Sequence, residues 1–63
     1  MNNVERTLLS MAIEVVKACN GKNEFMGCDE ALARYKGGVA VAKAIGMSDE
    51  KIAEIEKEAK RSN

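Results

Sequence analysis

Histidine, proline and tryptophan are all missing from these 63 residues, and the aromatics are confined to Phe25 and Tyr35. Without histidine the chain has no side chain whose ordinary ionisation falls near neutral pH, and it lacks the commonest catalytic base and metal ligand. The absence of proline and the shortage of aromatics suit helices joined by short turns and argue against a sheet, which draws on β-branched and aromatic residues.

Net charge is missing too. Ten basic side chains cancel ten acidic ones, so nothing draws nucleic acid or an anionic membrane from a distance. Arg34, Lys36 and Lys43 surround Tyr35, but Arg34 and Lys36 point about 160° apart on a helix and make no common patch. No uncharged run approaches a membrane span, and the N-terminus shows no secretory leader. The expected location is cytoplasmic: the host cytoplasm or the virion, if the protein is phage-encoded. In a reducing cytosol Cys19 and Cys28 are expected as free thiols acting as small hydrophobes, with too few ligands for a metal site. The alternative is a disulfide, because an antiparallel hairpin would bring the two thiols together.

Catalysis lacks parts as well. No nucleophile is paired with a base, and Gly37-Gly38 lacks the further glycines and the lysine of a phosphate-binding loop. The sequence therefore predicts no enzyme, no cofactor and no small-molecule substrate.

What is present is helical patterning. From Asn3 to Cys19, Val4, Leu8, Leu9, Met11, Ala12, Ile13, Val15, Val16, Ala18 and Cys19 cover about 220° of a helix. A surface helix needs little more than 100°, so this one is expected to be covered from two sides, by both other helices or by a second subunit. Asn20-Gly21 is a helix stop. In the loop that follows, Phe25 and Met26 are expected to fold back over the end of the core, or alternatively to anchor a partner.

The next helix begins at Cys28-Asp29-Glu30, with Asp29 as its expected cap and Leu32, Tyr35, Val39, Ala42 and Ile45 as its apolar stripe. Between Ala31 and Gly46, eight of sixteen residues are alanine or glycine, which reads as a surface for close helix contact. The spacings Ala33 to Gly37 and Gly38 to Ala42 both fit a helix crossing; otherwise the glycine pair breaks the helix. Gly46-Met47-Ser48 is the clearest boundary, and a charged helix runs from Asp49 to about Arg61 over the thin stripe Ile52, Ile55 and Ala59.

The segment Ala42-x3-Gly46-x5-Ile52-x2-Ile55 resembles a helix-turn-helix unit over about twenty residues. That resemblance implies a DNA-binding regulator whose second helix meets the duplex. Its outward positions Asp49, Glu50 and Glu54 are acidic, with Lys51 and Lys57 to offset them, and phosphate neutralisation needs the opposite sign.

The reading that follows is a single all-α domain over residues 1–63: a three-helix bundle, or four helices if the glycine pair breaks, made of a helical hairpin and a charged C-terminal helix. Its expected role is a non-enzymatic protein-binding or assembly module, most naturally a homo-oligomer. Size and style suit a bacterial or phage accessory protein, such as a virion component or an inhibitor of a host protein. The candidate partner-binding residues are Leu9, Ile13, Val16, Phe25, Met26, Gly37, Gly38 and Val41; the alternative is the DNA-binding regulator.

Overall fold

A computed structural model describes residues 2–61. It consists of three α-helices, α1 (Asn3–Cys19), α2 (Cys28–Ala44) and α3 (Asp49–Arg61), with no strand among the described residues. The expected boundaries and the all-α class hold. The glycine pair does not break α2, so the bundle has three helices and not four.

Both glycine stops work by the same device. Gly21 (φ +72°) and Gly46 (φ +102°) take the left-handed conformation, and each lets the next residue reach back to an orphan carbonyl, Lys22 N–H to Lys17 and Met47 N–H to Ala42. That is the Schellman closure, which a side chain at φ near +100° would strain. At the helix starts, Asn2 Oδ1 accepts from Glu5 N–H and Ser48 Oγ accepts from Lys51 N–H. The cap of α2 is Gly27 and not Asp29. Cys28 is itself helical, so Asp29 falls inside the first turn, where its charge still complements the helix dipole.

The central element is α1, which packs against both α2 and α3, while α2 and α3 meet only narrowly. Two-sided cover of its wide apolar arc thus comes from the chain's own helices. The core gathers Leu8 and Ala12 from α1, Tyr35 and Ala42 from α2, and Ile52, Ile55 and Ala59 from α3. The α3 stripe is as the sequence predicts. On α2 Tyr35 and Ala42 of the expected stripe are buried, Ala31 joins them, and Leu32 and Val39 are half-buried beside that line. Ile45 lies one residue beyond the helix as its cap and is 63% exposed, which removes it from the stripe.

Gly38 is where α1 and α2 approach. A Cβ built there would lie 3.0 Å from Met11 Sδ and 3.4 Å from Leu8 Cδ1, whereas one on Gly37 would meet nothing within 4 Å. Of the two small-residue spacings, only Gly38 to Ala42 faces a neighbour; Ala33 and Gly37 face solvent. Urea melts should therefore separate the two glycines. Gly37→Ala is expected to stabilise by roughly 0.5–1 kcal/mol, the helix cost of glycine relative to alanine. Gly38→Leu is expected to destabilise by about 1–3 kcal/mol through overpacking against Met11 and Leu8. Equal effects at both sites would contradict the crossing.

Two polar contacts fasten α3. Glu5 is buried at 9% exposure, and its Oε1 lies 3.4 Å from Lys51 Nζ. At the other end of the bundle the Tyr35 hydroxyl donates to Glu56 Oε2 at 2.8 Å. Burial raises the Tyr35 phenol well above its ordinary pKa, and the Glu56 carboxylate raises it further by accepting its proton and repelling the phenolate. The folded state therefore holds this proton more tightly than the unfolded chain does. The resulting stability is complete below about pH 10, where a free tyrosine ionises, and is lost as pH rises beyond it. Because Tyr35 is the single tyrosine and tryptophan is absent, tyrosinate absorbance reads this directly. It is expected to stay flat through pH 10 and to rise only as the helix signal falls; ionisation near 10 with helicity intact would contradict the contact.

Candidate interaction surface

The sulfurs of Cys19 and Cys28 are bonded, with their Cα atoms 4.5 Å apart. This corrects the expectation of free thiols. The last residue of α1 and the first of α2 meet because the two helices form an antiparallel hairpin, and the intervening loop is short enough to return the chain directly. Sequence spacing revealed that proximity; it carried no information on oxidation state.

Within the stapled loop, Asn23 Oδ1 accepts from the backbone N–H groups of both Phe25 and Met26. This turn sends Met26 back toward the helices, where it is half-buried, and turns Phe25 out to 88% exposure. The expected fold-back over the core fails for Phe25, and Met26 lies against Arg34 on α2, its sulfur 4.0 Å from Nη1.

A second apolar feature lies between α1 and α2. Asn3, Val4, Thr7, Leu8 and Met11 on one side, with Gly38 and Val41 on the other, line an open groove of about 380 Å³. No residue of α3 contributes to it. Met11 and Leu8 pack onto Gly38 at the base of the groove, and Val41, 62% exposed, forms one wall. Val4 also lines the adjoining hollow with Ile45 and Met47, so Val4, Val41 and Ile45 make one exposed apolar run.

No family model, curated protein or solved structure matches this chain.

The predicted partner-binding residues thus fall into three places. Gly38 and Val41 share the groove. Leu9, Ile13 and Val16 are half-buried and packed against the core; Leu9 and Ile13 lie roughly 160° around α1 from Met11, on its other side. Phe25 and Met26 belong to the loop, and Gly37 stands in the open. Val4, Met11 and Ile45 complete the groove region but were not singled out from sequence as contact residues. Their clue was available: Val4 and Met11 lie at one edge of the 220° arc, where cover by a neighbouring helix ends.

Charged side chains are spread in surface pairs: Arg34 with Glu14, Lys43 with Asp49, Lys51 with Glu54 and Arg61 with Glu58. Among the described residues no three histidine, cysteine, aspartate or glutamate side chains come together as a metal site. No described helix is long and apolar enough to cross a membrane.

Proposed function

We propose that this chain is a non-enzymatic binding and assembly module whose working surface is the α1–α2 groove, and that its first partner is a second copy of itself. The observation that carries this reading is the exposed run of Val4, Val41 and Ile45 beside a groove that α3 leaves uncovered. Apolar surface gathered in one place marks docking sites more often than scattered residues do. A standard interface takes about 800 Å² from each partner, roughly a fifth of the 4333 Å² that the chain exposes.

The DNA-binding alternative gains no support from α3. At its N-terminal end Lys51 is engaged by Glu5 and Glu54 and Asp49 by Lys43, so the turn that would meet the duplex offers phosphate no free cation, and the exposed Lys57 and Lys60 stand about two to three turns farther along the helix. The disulfide bears on location and favours an oxidising compartment over the reducing cytoplasm expected from sequence. A bacterial or phage accessory role remains a reading of size alone.

The test is absolute mass by light scattering over a hundredfold range of concentration. The wild-type chain is expected above its 6.8 kDa monomer mass, and Val41→Glu is expected to return to it. A wild-type chain that stays monomeric throughout would overturn self-assembly through the groove.

A further inference from the structure

We propose that Phe25 of one copy inserts into the α1–α2 groove of the next, so that the chain associates head to tail. This rests on the groove being the assembly surface and adds the group that fills it. Phe25 is the most exposed large apolar side chain among the described residues, yet its loop is not slack. The Cys19–Cys28 disulfide closes the loop, the Lys22-to-Lys17 bond fixes its entry, and Asn23 fixes the turn at Phe25 itself. An aromatic held outward by a fixed backbone loses little further freedom on docking, which is what a binding anchor requires.

The groove suits that anchor. Its walls are Val4 and Val41, its base is formed by Leu8 and Met11 packed down on Gly38, and about 380 Å³ above them is open to a benzyl group. Met11 is flexible and its sulfur packs well against an aromatic ring. No copy can fill its own groove. The loop follows Cys19, whereas the groove spans Asn3 to Met11, about 12–24 Å back along the same helix at 1.5 Å per residue, and Phe25 is turned out to solvent at 88% exposure. The contact is therefore intermolecular and joins unlike surfaces: two copies that exchange it reciprocally make a closed pair, and copies that pass it on make rings or open chains.

One charge pairing fits the direction of approach. Glu24, next to Phe25, has no ion pair among the described residues, and Arg6 stands in the trough that continues the groove past Thr7 and Met11, where Arg34 is already paired with Glu14. Lys17 and Lys22 border the same loop, so the pairing orients the contact and adds little net attraction.

Unlike surfaces allow a complementation test with Phe25→Ala, which lacks the anchor, and Val41→Glu, which lacks the groove. Both positions are exposed, and thermal melts followed by circular dichroism confirm that each variant folds. Light scattering is expected to find each variant alone as a monomer. A 1:1 mixture is expected to give a species of twice the monomer mass and nothing larger, because the pair has no free anchor and no free groove left. If Phe25→Ala keeps the wild-type mass while Val41→Glu dissociates, the groove stands as the assembly surface and Phe25 is not its occupant. Failure of the mixture to pair overturns the head-to-tail contact, and a wild-type chain already monomeric overturns both readings.

Discussion

Ile55→Ala is expected to cost about 2–5 kcal/mol, the range for removing most of a buried aliphatic side chain and leaving a cavity. Ile55 is 2% exposed and is the largest side chain that the bundle buries completely. Four of the eight buried apolar residues are alanines, so few large side chains exist to absorb its loss. A domain of this length has roughly 3–9 kcal/mol in total, at about 0.05–0.15 kcal/mol per residue. The variant should therefore be partly or wholly unfolded at room temperature, read as lost helix signal in circular dichroism. Ile55→Val, at about 0.5–1.5 kcal/mol, should remain folded with a lower melting temperature. If Ile55→Ala melts with the wild type, α3 does not dock as described.

That α3 depends on so few side chains could be read in advance. Ile52, Ile55 and Ala59 repeat at helical spacing in an otherwise charged segment, and that pattern has one buried solution. The helix ends were equally legible, because Gly21 and Gly46 act through local backbone conformation, which needs no knowledge of the rest of the fold. Less legible was anything that depends on how two helices rotate against each other. The stripe on α2 was expected through Leu32, Tyr35, Val39, Ala42 and Ile45; Tyr35 and Ala42 are buried as expected, but Ala31 takes the innermost place beside them, Leu32 and Val39 are only half-buried, and Ile45 lies outside. Alanine gives a weak periodic signal, since it is at home on either face. Glu5 shows the same limit: a carboxylate on the buried side of α1 makes sense only once Lys51 is known to stand across from it. The groove follows from both effects, and so from packing that the sequence pattern does not encode position by position.

Removing the disulfide is expected to be the second large effect, for a reason that lies mostly in the unfolded chain. Closing a loop of nine residues' separation restricts the unfolded ensemble by about 2–3 kcal/mol in the chain-entropy account. For a domain of this size each kcal/mol moves the melting temperature by about 4–8 °C, so Cys19→Ser with Cys28→Ser should melt roughly 10–20 °C lower. Small domains with thin cores commonly depend on such a staple. The folded loop keeps two of its own restraints in the variant, the Lys22-to-Lys17 bond and the Asn23 turn. Helix content at low temperature should accordingly match the wild type, with the difference appearing only in the melt. Reductant added to the wild-type protein should reproduce the variant's melting temperature, and reductant added to the variant should change nothing. A wild-type chain indifferent to reductant, with both thiols open to alkylation before reduction, would instead restore the free cysteines expected from the sequence.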